Sequence, residues 1–221
     1  MNIEDLENDV IDFASEILNL CAKDSGLDKV FLGTQIFFSP MVYDADIMFL
    51  GINPGPGYYD YYGEKVERYF PLDKHEYIEY DYTLAQEWKE IFSDIGRFDL
   101  LENSFKSNCC YFATRGTKEY NTLRNILWNY KGNEFNEKCE EWTHSLLEQV
   151  NPSLLICEGK HVANILKKYW YSGDYTESDS YSFHINSLNI DVMVAERTYS
   201  NLKNKSLIEK SLKNHICRLG L

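Results

Sequence analysis

Residues 46–57 of the chain read Asp46-Ile47-Met48-Phe49-Leu50-Gly51-Ile52-Asn53-Pro54-Gly55-Pro56-Gly57. The part from 47 to 52 is short, apolar and uninterrupted, which is typical of a strand buried on both faces of a parallel sheet. The Asn, Pro and Gly residues that follow favour a turn over a continued strand. The stretch therefore predicts an α/β fold in which a loop follows the carboxyl end of a central strand.

On both sides of this strand, the sequence predicts further strands that alternate with helices. Strands are predicted at 46–52, 105–112, 153–158 and 190–196, with 182–185 as the hairpin partner of the last, and helices at 3–23, 137–150, 159–166 and 206–218. Strands alternating with helices are typical of a parallel sheet covered on both faces. We expect a single domain over residues 1–221, an α/β three-layer αβα sandwich with a central, mainly parallel four-stranded sheet.

The composition excludes several classes of protein. The 221 residues are 44% hydrophobic and 26% charged, which is typical of a folded domain with its own core rather than of a disordered chain. No stretch approaches the roughly 20 apolar residues of a membrane span, and the residues after Met1 show no secretory pattern. The six cysteines lack metal-ligand spacing. We expect a cytoplasmic, monomeric protein with no membrane partner, no metal and no cofactor.

Charge is distributed unevenly along the chain. The whole sequence carries 22 basic and 35 acidic residues, for a net charge of −13, which by itself disfavours nucleic acid as a partner. The segment from Arg197 to Leu221 has six basic residues and one acidic residue, Glu209, for a net charge of +5. A polyanion would therefore bind at the C-terminal end, although a solvated helix face explains the same charges.

A long acidic segment, Tyr58–Tyr82, lies between the first two predicted strands. It holds eight of the 17 tyrosines and seven carboxylates. Long connections at the carboxyl end of a parallel strand are commonly functional, because ligands of open α/β sheets bind there. An ordinary surface insertion is the alternative.

The motif Gly51-Ile52-Asn53-Pro54-Gly55 resembles the first active-site motif of the uracil-DNA glycosylase superfamily, in the GINPG form of its mismatch-specific uracil and thymine glycosylases. Residues 107–115, Ser-Asn-Cys-Cys-Tyr-Phe-Ala-Thr-Arg, resemble the family's second strand, and residues 154–160 resemble its third strand and glycine turn. Residues 198–203, Thr-Tyr-Ser-Asn-Leu-Lys, stand where the family carries its second motif. The resemblance covers about residues 40–220.

The resemblance implies a uracil-DNA glycosylase-like fold and a monofunctional DNA glycosylase, which flips out a pyrimidine and hydrolyses its N-glycosidic bond to leave an abasic site. Asn53 is the implied catalytic residue, and its amide oxygen would orient the attacking water because an amide does not titrate as a base. The first motif contains no lysine, so the amine nucleophile of a lyase is not expected there. The implied base-binding residues are Gly51, Ile52, Gly55, Tyr58, Tyr59, Phe70 and Asn108, with the aromatic residues stacking on the flipped base.

Gly55 bears on the substrate that the resemblance implies. The most uracil-specific branch of the family has a tyrosine here that blocks substituents at C5 of the pyrimidine, so a glycine implies a pocket open to C5-modified bases. Hydroxymethyl- or glucosyl-cytosine of bacteriophage DNA would be such a base, enclosed by the Tyr58–Tyr82 segment. The protein would then act in antiviral defence.

The second motif departs from the family. Its histidine is absent, and Thr198 is the nearest equivalent. Ser200 would bind a phosphate, and Leu202 aligns with the apolar wedge that fills the gap left by a flipped nucleotide. Lys203 and Lys205 flank that wedge, so the implied DNA-binding residues are Thr198, Ser200, Leu202, Lys203 and Lys205.

Other interpretations stay open. The chain is alternatively a uracil or thymine mismatch repair glycosylase, or a catalytically inactive relative that only binds DNA. A third interpretation is a small-molecule enzyme whose glycine-rich loop holds a phosphate, although the loop lacks the lysine and serine of a P-loop.

Overall fold

The computed structural model of the chain describes residues 1–179, 181–198 and 200–221. Tyr199, in the second motif, lies outside the described residues. The chain forms two compact units that interleave in sequence. Unit 1 consists of Met1–Phe37, Ile52–Phe70 and Asn108–Leu146, and unit 2 consists of Phe38–Gly51, Pro71–Ser107 and Leu147–Leu221.

Helices and strands alternate along most of the chain. The strands are β1 (Gly33–Gln35), β2 (Ile47–Gly51), β3 (Val66–Arg68), β4 (Phe105–Asn108), β5 (Leu154–Glu158), β6 (Tyr175–Asp179), β7 (Ser182–Ile185), β8 (Ile190–Ala195), β9 (Arg197–Thr198) and β10 (Asn201–Leu202). The helices are α1 (Ile3–Cys21), α2 (Ser25–Val30), α3 (Gly57–Tyr62), α4 (Glu76–Glu79), α5 (Thr83–Asp94), α6 (Phe98–Glu102), α7 (Thr117–Lys131), α8 (Glu134–Val150), α9 (Lys160–Ile165) and α10 (Lys205–Leu219). A π-helical turn, Leu166–Trp170, continues α9. None of the described helices combines the length and the hydropathy that a membrane crossing requires.

The central sheet is mostly parallel, which confirms the predicted α/β class, but it has six strands rather than four. Its strand order is β4-β2-β5-β8-β7-β6. The pairs β2–β5 and β5–β8 are parallel, whereas β8–β7 and β7–β6 are antiparallel. The edge strand β6, with the sequence Tyr-Thr-Glu-Ser-Asp, is mostly exposed, so no apolar alternation marks it as a strand.

Strand β2 lies between β4 and β5 in the sheet, and every one of its residues is buried. Ile47 and Phe49 belong to a core cluster with alternate residues of β5 and β8, and helices α5, α6 and α10 contribute the apolar residues packed against them. The Phe49 ring meets the Trp88 ring edge-on at 5.0 Å. One face of the sheet in unit 2 is therefore closed by these three helices.

Unit 1 is organised around the ring of Phe112. The rings of Phe13, Phe31, Phe135 and Trp142 lie 5.7–6.1 Å from it. The predicted N-terminal helix is confirmed as α1, which begins after its N-cap Asn2 and buries its apolar stripe. Apolar residues recur at helical spacing along the 19 residues of α1, and this pattern predicts the helix from the sequence.

The predicted strand 105–112 is shorter in the structure, because β4 ends at Asn108. The backbone beyond it pairs elsewhere. The N–H of Cys110 donates to the oxygen of Ile52 at 3.0 Å, and the oxygen of Tyr111 accepts from the N–H of Gln35 at 2.8 Å. Apolar character persists through this segment because it enters the core of unit 1, so hydrophobicity alone does not mark the strand end.

Replacing Gly33 by alanine is expected to destabilise the protein by about 1–3 kcal/mol, the usual cost of a buried overlap. Gly33 has φ +114° in β1, and a Cβ there would overlap the backbone nitrogen and oxygen of Val66 in β3. The free energy of unfolding in urea measures the effect. Gly63→Ala is the matched control, since Gly63 also has positive φ (+73°) but nothing within 4 Å of its Cβ position. Equal losses in the two variants would contradict the overlap.

Candidate functional site

Asn53 lies in unit 1, two residues after the end of β2, and its side-chain amide is firmly held. The Asn53 Nδ2 group donates to the backbone oxygens of Pro54 (2.9 Å) and Phe112 (3.2 Å) and to the Thr114 hydroxyl oxygen (3.0 Å). The backbone N–H of Thr114 donates to the Pro54 oxygen at 3.1 Å. The Asn-Pro-Gly loop and residues 112–114 therefore hold each other in register.

These partners settle which way the amide faces. Backbone oxygens only accept hydrogen bonds, so the nitrogen of Asn53, and not its oxygen, has to face Pro54 and Phe112. The Thr114 hydroxyl donates its own hydrogen to the oxygen of Gly116 at 3.1 Å and is left to accept from Asn53. The carbonyl oxygen of Asn53 is thereby directed away from these three partners. Thr114 was not among the predicted site residues, and only its position six residues after Asn108 marks it in the sequence.

The glycine of the loop leaves open space beside it. A Cβ built at Gly55 meets no atom within 4 Å, and the residue is exposed. The other predicted base-binding residues are more enclosed. Asn108 is buried in unit 1 at the end of β4, Ile52 is partly buried, and Gly51 is buried at the end of β2 in unit 2.

The predicted stacking residues differ in exposure. Tyr58 and Tyr59 pack against Leu32, Val66 and Ala113. The Arg68 guanidinium lies 4.6 Å from the centre of the Tyr58 ring, and that of Arg115 lies 5.5 Å from the centre of the Tyr59 ring. Phe70, in contrast, is largely exposed. One face of both Tyr58 and Tyr59 is thus covered by a cation.

The acidic segment Tyr58–Tyr82 is less negative locally than its sequence indicates. Four of its seven carboxylates form ion pairs: Asp60 with Arg115 (2.8 Å), Glu76 with Lys106 (3.5 Å), Glu79 with Lys74 (3.3 Å) and Asp81 with Lys89 (2.7 Å). The segment is also divided between the units, with residues 58–70 in unit 1 and 71–82 in unit 2. It is therefore not one exposed insertion.

Unit 2 contains a network of ionisable side chains that is buried at its centre and exposed at Tyr82, and that the sequence did not reveal. The Lys106 ammonium in β4 donates to Glu158 Oε2 (2.7 Å) and to the Tyr77 hydroxyl (2.8 Å). The Tyr77 hydroxyl donates to Glu158 Oε1, and the Tyr82 hydroxyl donates to Glu76 at 2.6 Å. The network ties β4 and the end of β5 to helix α4.

The charges in this network are set by their neighbours. Burial alone would raise the pKa of Glu158, but Lys106 and Arg197 lower it to about 2. Burial and the Lys106 charge lower the pKa of His75 to about 3. A neutral His75 agrees with its Nδ1 accepting a hydrogen bond from the N–H of Tyr77 at 3.1 Å. Glu158 is therefore ionised and His75 uncharged at neutral pH.

The predicted DNA-binding residues lie in unit 2, around the short β9–β10 hairpin. Thr198 and Ser200 are exposed, and so is Lys203, whose N–H donates to the oxygen of Glu196 at 2.7 Å. Leu202 does not protrude as a wedge would. Its side chain is only 7% exposed in the core cluster, and its N–H donates to Glu87 at 2.6 Å.

Lys205 is likewise engaged within unit 2. Its ammonium forms ion pairs with Glu87 (3.2 Å) and Glu90 (3.1 Å) of α5. Its charge is thus largely balanced before any ligand arrives. Of the five residues predicted to contact DNA, Leu202 is buried and Lys205 is partly exposed but ion-paired, whereas Thr198, Ser200 and Lys203 are exposed.

Comparison with models of known protein families and with curated proteins found no match. Among the residues that the structure describes, no group of three or more His, Cys, Asp or Glu side chains is placed to hold a metal ion.

Lys106→Met is expected to destabilise the protein by about 3–5 kcal/mol, because it removes the ammonium group that pairs with the buried Glu158 carboxylate. Chemical unfolding at neutral pH measures the loss. Lys74→Met is the matched control, since the Lys74–Glu79 pair is exposed, and we expect it to cost less than about 1 kcal/mol. A Lys106 variant as stable as the control would mean that the network does not hold unit 2 together.

Proposed function

We propose that the protein is a monofunctional DNA glycosylase that hydrolyses the N-glycosidic bond of a flipped pyrimidine. The observation that carries the proposal is the orientation of Asn53. Its nitrogen is committed to two backbone oxygens and a hydroxyl, so its carbonyl oxygen is the group that can accept a hydrogen bond from a water molecule. The resemblance of the Gly51–Gly55 motif to the uracil-DNA glycosylase superfamily supports the same role.

The proposed reaction needs a positioned water more than a strong base. The water oxygen bonds to C1′ of the sugar as the bond to the base nitrogen breaks, and the electron pair leaves with the base. Asn53 cannot take the proton of the water, which passes to solvent. The rate therefore depends on holding the water in line with the breaking bond, which a fixed amide does and a mobile one does not.

The proposal includes a uracil-DNA glycosylase-like fold in which β4, β2, β5 and β8 form the four-stranded core. It also includes a C5-modified pyrimidine as the substrate, hydroxymethyl- or glucosyl-cytosine being candidates. The open space beside Gly55 supports this choice, because a C5 substituent needs room that a bulky side chain would take. Removal of such bases would serve antiviral defence.

Asn53→Ala is expected to lower the rate of base release by about 100-fold or more, the scale of one positioned polar group in a transition state. Abasic sites formed in modified-base DNA, cleaved with alkali and resolved on a gel, measure the rate. DNA affinity should change little, because the group acts on the water and not on ground-state binding.

Thr114→Val is a second variant that keeps the Asn53 side chain and removes only its hydroxyl partner. We expect an intermediate loss of rate, because the amide keeps two of its three hydrogen bonds. Near wild-type release by both variants would exclude Asn53 from the mechanism. Release of plain uracil in preference to every C5-modified base would favour the mismatch-repair alternative, and binding without any release would favour the inactive relative.

Gly55→Tyr tests the proposed openness toward C5. The open space at this position allows the side chain without a core clash, so the variant should fold normally. We expect release of C5-substituted bases to fall at least tenfold more than release of uracil. Rates on paired oligonucleotides that differ only in the C5 group measure the ratio. If the ratio of the two release rates does not change, the C5 side of the base does not lie next to residue 55.

A further inference from the structure

Helix α3 directly follows the Asn53 loop and presents an unusual concentration of exposed aromatic rings. The Tyr61 and Tyr62 side chains are 78% and 58% exposed. The Tyr62 ring centre lies 4.6 Å from that of Tyr58 and 4.6 Å from that of Tyr61. These rings form an exposed apolar patch that is not buried in the core of the protein, and such patches are commonly binding sites.

We propose that these rings bind unpaired DNA bases next to the target nucleotide, so that the substrate is a single-stranded or locally unpaired strand. This inference rests on the proposed function for its place beside Asn53. A base in single-stranded DNA has free π-faces that stack on aromatic side chains, whereas a base inside a duplex is already stacked on both sides. Exposed tyrosines therefore select unpaired over paired DNA.

The platform of Tyr61 and Tyr62 is fixed to the Asn53 loop by two connections. The chain itself runs from Asn53 to α3 within four residues. In addition, Arg115 donates to Asp60 of α3 at 2.8 Å, and its neighbour Thr114 accepts from the Asn53 amide at 3.0 Å. A strand bound on α3 would thus be held close to the catalytic loop.

Cations beside the platform suit a nucleic acid strand. Arg68 lies over the Tyr58 ring, and Arg115 lies over the Tyr59 ring with about half of its side chain exposed. A single strand carries phosphates beside its bases, and a guanidinium group next to an aromatic ring can contact a phosphate while the ring stacks on a base.

The burial of Leu202 in unit 2 also favours an unpaired strand over a duplex as the substrate. In the family that the sequence resembles, an apolar side chain fills the gap that a flipped base leaves in paired DNA. Leu202, which occupies that position in the sequence, is buried in the core cluster with its N–H bound to Glu87. When a base leaves an unpaired strand, there is no gap in a duplex to fill. Such a substrate therefore does not require Leu202 to leave the core.

The test measures binding by the full chain, without any requirement for base release. A fluorescein-labelled 12-nucleotide single strand and a hairpin duplex containing the same sequence, both unmodified, are titrated and followed by fluorescence anisotropy. We expect the single strand to bind at least tenfold more tightly. Tyr61→Ala and Tyr62→Ala should each weaken its binding by about tenfold, within the range for loss of one base–aromatic stack.

Two further variants make the result specific. Tyr61→Phe and Tyr62→Phe keep the rings and should bind as the wild type does, whereas loss of binding in them would overturn recognition by ring stacking. Tyr169→Ala is the matched control, because Tyr169 is 72% exposed in unit 2 and outside the platform. It should leave binding unchanged.

Tighter binding of the duplex, or alanine variants that bind like the Tyr169 control, would overturn the inference. Base release is followed separately on the same strands carrying a modified pyrimidine. If single strands bind through the platform but no base is released from any substrate, the proposed function fails and the binding surface stands. If bases are released only from duplex DNA, the proposed function stands and the inference fails.

Discussion

A lysine ammonium removed from water constrains the architecture of unit 2. The Lys106 side chain is 5% exposed, and a charge so enclosed is tolerated only when carboxylates and hydrogen-bond acceptors replace its hydration. Glu158 at the end of β5, Tyr77 in α4 and Glu76 beside it supply those groups. Because they come from parts of the chain distant in sequence, the segment after residue 71 has to pack against the sheet. The Glu158 carboxylate also attracts Arg197, whose Nε donates to the backbone oxygen of Glu158 at 3.3 Å. The start of β9 is therefore fixed as well.

The sequence predicts those parts of the fold whose signal is local. The apolar runs of β2 and β5 and the amphipathic pattern of α1 were recognisable because burial repeats at the period of the element. The burial of Lys106 cannot be predicted in this way, because a lysine within a strand ordinarily faces solvent and its partner Glu158 is 52 residues away. The orientation of Asn53 could not be read either, because its partners Phe112 and Thr114 meet it only in the folded chain. Local patterns thus locate the candidate loop, and long-range contacts decide what its amide can do.

Leu202 illustrates how one residue type fits two opposite roles. An apolar side chain at the end of a loop is expected of a DNA wedge, and it is equally expected of a core residue that closes a helix against a sheet. The structure places Leu202 with Ile208 and Leu212 in the core cluster of unit 2. Its backbone N–H is bound to Glu87, itself buried and paired with Lys205. Bringing Leu202 out would therefore expose apolar surface and break a charged hydrogen bond at once.

The C-terminal charge shows why net charge is a poor guide to a binding surface. Within the +5 segment, Lys205 pairs with Glu87 and Glu90, Lys213 with Glu209, and Arg218 with Asp191. Arg197 is drawn into the buried network. Among the described residues, this leaves Lys203 and Lys210 as the lysines of the segment without an ion pair. Few phosphates could therefore be neutralised there, so under the proposed function the affinity for DNA would come mainly from stacking and from contacts with the base. Such an interaction would favour strands whose bases are already exposed.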